Sequence, residues 1–168
     1  MKFFTVLFIF ANFMVYDSPT LVEIRNLYEQ ASSDKAVNLK LNTILAYVKK
    51  DNSVLEGYRG AGIMIEANHV FNPLTKLSRF RKGKGIIERA ILSDPNNIEL
   101  RYIRLTIQTN IPKFLGYHDE IKTDKGFIIK KMPMVKDLDL TNRMADYLSS
   151  SKICTVEEIK QLQQWKSK

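Results

Sequence analysis

Apolar side chains recur every three or four residues along most of the chain, which is the spacing of one face of an α-helix. The first series runs from Leu21 to Ala31 and predicts a helix over residues 19–32. Ser18 and Pro19 precede it, and Ser as a cap followed by Pro in the first turn is a typical helix start. A second series from Val37 to Val48 predicts another helix directly afterwards.

Cap residues divide the middle of the chain into further helices. Ser53 and Glu56 have the spacing of a capping box and predict a helix that continues through a glycine-rich stretch to Ala67. Asn72-Pro73 predicts a new start, and residues 94–97 (Asp-Pro-Asn-Asn) predict a stop followed by a restart. Gly83 and Gly85 lie between these signals, and they mark either a break between two helices or a close helix contact.

The last third of the chain has a less regular pattern. Residues 119–131 fit a helix imperfectly, and Met132-Pro133-Met134 interrupts it. A further helix follows around Leu140 to Leu148. Thr155 and Glu158 form a second capping box, which predicts a final helix.

Length and composition favour one helical domain. The chain has 168 residues, with only 7 Gly and 5 Pro, which leaves few residues for the many tight turns of an all-β protein. We therefore predict an all-α fold of six to eight helices, arranged as stacked helical hairpins in an α-α superhelix or a compact bundle. A single domain is expected over residues 17–168, with a hairpin core over about 18–112 and less regular helices over 113–168.

The N-terminal residues differ from the rest of the chain. Lys2 is followed by an almost uninterrupted apolar run from Phe3 to Val15, which matches the charged and apolar parts of a secretory signal peptide. The run is shorter than the roughly 20 residues of a membrane-spanning helix. Residues 1–16 are therefore predicted to be a signal peptide, and the protein is expected in the periplasm or outside the cell. The alternatives are an uncleaved membrane anchor and a buried first helix.

A weak internal repeat has a period that is typical of helical-hairpin proteins. Ile44 to Tyr58 aligns with Glu88 to Tyr102, and each copy combines a helix end, an Asp/Asn-rich turn and a new helix with Tyr near its start. Within it, Ile87, Ala90, Pro95 and Asn96 resemble the second helix and closing turn of a tetratricopeptide repeat. This resemblance implies a scaffold without an active site. The stretch from Tyr58 to Tyr117 also resembles small exported bacterial proteins of unassigned function.

Basic residues dominate the charge pattern. The chain has 26 Lys and Arg against 18 Asp and Glu, so its net charge is +8. A basic cluster is crowded into one helical region and the helix that follows it. Its predicted anion-binding or partner-binding members are Arg79, Arg81, Lys82, Lys84, Arg89, Arg101 and Arg104. If the two helices form a hairpin, these side chains converge on one positive surface that suits phosphate or another anion. The alternative, which we favour, is a solvated helix face.

Sequence motifs for catalysis are lacking. His69 and His118 have no metal-ligand spacing, so no metal site is predicted. Gly83 and Gly85 form no phosphate loop, because the Gly-Lys-Ser/Thr order is absent. Cys154 is expected to be a half-buried structural cysteine. We therefore predict no catalytic residue and no cofactor.

These patterns favour a non-enzymatic binding or scaffold module of the cell envelope or exterior, with another protein as the expected partner. The alternative is an anion-binding protein that uses the basic cluster on nucleic acid or acidic lipid. Salt distinguishes the two, because binding through Lys and Arg weakens steeply as ionic strength rises.

Overall fold

The computed structural model describes residues 19–49 and 51–166 of the chain. These residues form eight α-helices and three short 3-10 turns, with no strand among them. The helices are α1 (Leu21–Ala31), α2 (Lys35–Tyr47), α3 (Ser53–Ile65), α4 (Pro73–Ser93), α5 (Ile98–Asn110), α6 (Ile121–Lys131), α7 (Leu138–Ser150) and α8 (Val156–Lys166). The prediction of an all-α fold with six to eight helices is confirmed.

The beginning of α1 differs from the prediction. Thr20, and not Ser18, caps the helix, because its side chain accepts a hydrogen bond from the backbone of Glu23 while the Glu23 carboxylate accepts one from the backbone of Thr20. The predicted signal peptide, residues 1–16, lies outside the described residues. Within the described ranges, no helix is long and apolar enough to cross a bilayer.

Asparagine side chains open three successive helices. Asn52, Asn72 and Asn97 each accept hydrogen bonds from two backbone N–H groups in the first turn of α3, α4 and α5. These bonds satisfy donors that have no partner inside the helix. The start predicted at Asn72-Pro73 is confirmed, but the predicted cap at Ser53 is wrong by one residue, because Asn52 fills that position.

Helices α3 and α4 pack at very short distance, and two glycines make this possible. A Cβ atom built on Gly83 would lie 2.4 Å from the carbonyl oxygen of Gly60, and one on Gly60 would lie 2.8 Å from the carbonyl oxygen of Gly83. Neither helix can carry a side chain at this crossing. Helix α4 runs through both Gly83 and Gly85 without a break, so Gly83 marks a close contact and not a helix end.

The C-terminal helices are regular, although the sequence pattern is weak. Helix α6 begins at Ile121 and is followed by a 3-10 turn over Met132–Met134, where the sequence predicts an interruption. The second predicted capping box is present. Thr155 Oγ1 accepts from the backbone of Glu158 at 3.2 Å, and the backbone of Thr155 donates to the Glu158 carboxylate at 2.8 Å.

Helix α5 lies between two apolar clusters and contributes to both. Leu100, Ile103 and Ile107 pack into a cluster formed with α1, α2, α3 and α4. Tyr102 and Leu105 pack into a second cluster formed with α6, α7 and α8. Every residue of α5 from Glu99 to Gln108 is buried except Arg101, which is partly exposed. Helix α5 therefore forms the centre of the fold.

One buried ionic centre joins α1 to α3, α5 and α7. Arg25 on α1 donates to both carboxylate oxygens of Glu99 on α5, at 2.7 and 2.8 Å, and to Asp139 on α7 at 2.9 Å. Tyr58 on α3 donates to Glu99 at 2.7 Å. Burial and the adjacent Glu99 carboxylate raise the pKa of Tyr58 well above its ordinary value, so its hydroxyl stays protonated. Arg25 is therefore paired with carboxylates from both α5 and α7, and a buried charge requires such partners.

A second ionic centre joins α5 to α4 and α6. Arg104 on α5 donates to Asp124 on α6 at 2.7 and 2.9 Å, and to Glu88 on α4 at 2.9 Å. Arg101 adds a further bond to Asp124 at 3.1 Å. Asp124 is fully buried, and the two arginines neutralise its charge. Their bonds to Asp124 hold α6 against α5, and the bond between Arg104 and Glu88 holds α4 against α5.

Candidate functional site

A large groove lies between α5 and α7, and the second half of α1, the end of α3 and the first half of α4 complete its walls. Its cavity volume is about 1330 Å³. Small-molecule sites are typically about 300–1,000 Å³, so this groove is larger than most of them. Its walls combine aromatic, aliphatic and amide side chains.

Three tyrosines form one wall of the groove. Tyr28 shares a hydrogen bond of 2.7 Å with the hydroxyl of Thr106, and the rings of Tyr102 and Tyr147 meet edge to face with centroids 5.8 Å apart. The Tyr147 hydroxyl shares a hydrogen bond with the hydroxyl of Thr109. Burial raises the pKa of Tyr28, Tyr102 and Tyr147. The three hydroxyls therefore stay protonated at neutral pH and act as hydrogen-bonding groups.

Amide side chains give the groove both donors and acceptors. Asn110 donates to the hydroxyl of Tyr147 at 2.8 Å, and Asn26 accepts from Arg143 at 2.6 Å. Asn68 and Asn142 also line the groove, are exposed, and make no side-chain hydrogen bond to any other residue in the described parts of the chain. These two amides are available to a bound molecule.

The rim of the groove carries an exposed aromatic ring. Phe114, in the 3-10 turn after α5, is 86% exposed and lines the groove together with Pro73 and Leu77 of α4. Leu115 and Tyr117, which follow it closely in the chain, pack into the first apolar cluster, but Phe114 does not.

Charged groups at the groove are mostly paired with each other. Arg143 forms ion pairs with Glu29 at 2.7 Å and with Asp139 at 2.9 Å. Hydrogen bonds from Arg143 hold the pKa of Asp139 below its ordinary value, and Arg25 adds to this effect. Partial burial acts in the opposite direction but does not cancel it. Asp139 is therefore a carboxylate at neutral pH, committed to arginine partners. The arrangement suits binding through aromatic and amide contacts better than proton transfer.

The predicted basic cluster is not brought together as one surface. Arg104 is buried in the ionic centre with Asp124 and Glu88, and Arg101 is partly buried beside the same aspartate. Arg101 also donates to the backbone carbonyl of Pro95 at 3.1 Å. Neither side chain presents a free charge, because the carboxylates of α4 and α6 already surround them.

The members of the cluster on α4 fall into two groups. Arg79 pairs with Glu66 at 2.8 Å, and the Lys84 ammonium lies 4.5 Å from the centre of the Tyr117 ring. The remaining three are exposed and have no acidic partner within the described ranges. They are Arg81, Lys82 and Arg89.

The histidines and the cysteine have structural surroundings. His69 Nε2 lies 2.8 Å from the carbonyl oxygen of Ala31, and His118 Nε2 lies 3.3 Å from that of Ile111. Cys154 is half-buried, and burial raises the pKa of its thiol. No group of three or more His, Cys, Asp or Glu side chains converges as a metal site among the residues described.

The sequence did not point to the tyrosine wall of the groove. Tyr28, Tyr102 and Tyr147 lie at helical spacing among apolar residues, which predicts core positions. The available signal was chemical, because buried tyrosines usually need a partner for the hydroxyl and therefore tend to lie at the edge of a core. Which helix ends meet around these rings depends on tertiary packing.

No family model, curated protein or solved structure matches this chain. The resemblance of residues 87–96 to a tetratricopeptide half-repeat therefore stays a prediction.

Proposed function

We propose that this protein is a non-enzymatic binding module that takes an apolar, extended segment of a partner polypeptide into the groove. The observation that carries the proposal is the groove itself, with its tyrosine wall, its free amides and the exposed ring of Phe114 at its rim. Export to the periplasm or the cell exterior is part of the proposal, and it rests on the apolar run from Phe3 to Val15.

A polypeptide is the favoured occupant because of the chemistry of the walls. Asn68 and Asn142 each offer a donor and an acceptor, which is what the repeating N–H and C=O groups of an extended chain require. Tyrosine and asparagine are also the residues that antibody binding sites use for peptide and protein surfaces, because they combine contact area with adaptable hydrogen bonds. The size of the groove fits a segment of several residues better than a small metabolite.

The test uses two matched phenylalanine variants. Fluorescent 12-residue peptides are synthesised with apolar residues alternating with Ser or Asn, together with peptides in which Asp and Lys replace the apolar residues. Binding is followed by fluorescence anisotropy. We expect the apolar set to bind and the charged set to fail. Phe114→Ser should weaken binding by about 10-fold or more, because aromatic anchors contribute most at such interfaces.

Phe71 provides the control. Its side chain is 99% exposed and does not line the groove, so Phe71→Ser removes the same chemistry elsewhere. Equal weakening by the two variants, or no peptide binding in the millimolar range, would contradict the proposal. Saturable binding of a small apolar dye without any peptide binding would point to a small-molecule site instead.

A further inference from the structure

The side of α4 that faces away from the protein combines positive charge with exposed leucine. Arg81 lies about two turns after Leu74, and Leu92 lies about three turns after Arg81. The three side chains therefore point in nearly the same direction. Lys82 and Arg89 are also about two turns apart and lie beside this line. These five residues form the outer face of α4.

The positive charges of the outer face are not neutralised by the protein. Arg81, Lys82 and Arg89 are exposed and have no acidic partner in the described parts of the chain. The only acid within α4 is Glu88, and its carboxylate is occupied by Arg104 and by the Tyr117 hydroxyl. Local charge on this face is therefore positive, which favours an anionic partner.

The leucines of the outer face are exposed without any structural need. Leu74 and Leu92 are each 78% exposed, at opposite ends of the helix and about 27 Å apart along its axis. Each lies beyond the basic residues, so apolar groups flank the charges on both sides. The inner face of the same helix is packed against α3 through Gly83, which holds the outer face outward.

We propose that the outer face of α4 binds the surface of a bilayer that contains anionic lipid. Arg81, Lys82 and Arg89 contact the headgroup phosphates, and Leu74 and Leu92 enter the boundary between headgroups and acyl chains. Basic residues combined with leucines on one helix face are the pattern of interfacial membrane binding. A nucleic acid would use the charges equally well, but it offers no apolar surface for the two leucines, and the face has no aromatic ring for base stacking.

This inference is independent of the proposed function. The α4 residues that line the groove are Pro73, Lys76, Leu77 and Phe80, and none of these belongs to the outer face. A failed peptide-binding test therefore leaves the lipid proposal unchanged, and the reverse also holds.

The test measures depth in the bilayer at one position of the full-length chain. Leu92→Trp is made in a Trp165→Phe background, so that the introduced indole is the only one. Vesicles contain either phosphatidylcholine alone or phosphatidylcholine with about 30% phosphatidylglycerol, each with brominated acyl chains that quench tryptophan on contact. We expect quenching with the anionic vesicles only, and its loss as salt screens the charges.

Leu39 on α2 supplies a matched control. It is 67% exposed and is followed by the exposed Lys40, so Leu39→Trp reports a similar surface elsewhere. Any membrane attachment through residues 3–15 acts on both reporters, whereas contact through the outer face quenches only the one at Leu92. Combining Arg81→Glu, Lys82→Glu and Arg89→Glu should raise the lipid concentration needed for half-maximal quenching by at least about 10-fold.

Three results would overturn the proposal. Equal quenching at Leu39 and Leu92, or no quenching at either, would mean that the outer face is not the contact surface. Salt-sensitive binding to a DNA duplex, with no binding to anionic vesicles, would assign the charges to a nucleic acid.

Discussion

The arginines around α5 and those on the outer face of α4 have opposite roles, although they are the same residue type and are close in sequence. Arg104 is buried and bonded to Asp124 and Glu88. Arg81 and Arg89 are exposed, and neither pairs with an acid in the described ranges. A buried guanidinium must be paired, because leaving an unpaired charge in the interior costs several kcal/mol. An exposed one has no such requirement and remains available to a ligand.

The difference shows that basic residues that are close in sequence need not form one surface or share one role. Arg101 and Arg104 follow the α4 residues within a few turns, yet they serve the junction of α4, α5 and α6. The number of acids on neighbouring helices decides which arginines are structural. Four variants test this division.

Arg25→Met should have the largest effect on stability. It leaves the buried Glu99 carboxylate without its cation, and breaking a buried pair in this way costs about 3–5 kcal/mol. Urea denaturation followed by circular dichroism measures the loss. The double variant Arg25→Met with Glu99→Leu should recover most of it, because both charges are then gone. A loss below about 1 kcal/mol for the single variant would show that the centre is not structural.

Asp124→Asn should destabilise the protein by about 2–4 kcal/mol, somewhat less than the first change. Arg104 loses its buried carboxylate but keeps Glu88 at 2.9 Å. The measurement is again the free energy of unfolding in urea. Asp119→Asn, an exposed acid on the segment before α6, is the control and should change it by less than about 0.5 kcal/mol. Similar effects of the two variants would contradict the division.

Asp139→Asn should reduce stability at neutral pH by no more than about 1 kcal/mol, because Asp139 is partly exposed. The pKa of Asp139 is lower in the folded protein than in the unfolded chain. Its stabilisation is therefore present above the unfolded pKa and is lost as pH falls through the folded pKa. The difference between wild type and variant should shrink between about pH 5 and about pH 2. A difference that stays constant over this range would exclude a charge effect.

The triple change of Arg81, Lys82 and Arg89 to Gln should alter the free energy of unfolding by less than about 0.5 kcal/mol. Exposed residues without partners contribute little to stability, even when three cations are removed at once. Thermal and urea denaturation both report the effect. Destabilisation by 2 kcal/mol or more would mean that these side chains have a structural role in the fold.

The sequence predicted some features of the candidate sites and missed others. Arg81, Lys82 and Arg89 belong to a basic cluster that the sequence predicts, since their close spacing is visible along the chain. The pairing of Arg104 with Asp124 was not predicted, because the two residues come from different helices. The tyrosine wall of the groove was missed for the same reason, since Tyr28, Tyr102 and Tyr147 belong to three helices that are distant in sequence.

Helical periodicity and short-range caps are local properties, so the all-α class, the helix starts near Asn72 and Thr155 and the continuous apolar faces follow from the amino-acid sequence alone. Errors at Ser18 and Ser53 arose where a neighbouring residue, Thr20 or Asn52, caps the helix instead. Packing between helices, in contrast, places Gly83 at a helix crossing, buries Arg104 and leaves Arg81 exposed. These outcomes depend on which helices lie side by side, and neither the spacing of apolar residues nor the caps specifies that arrangement.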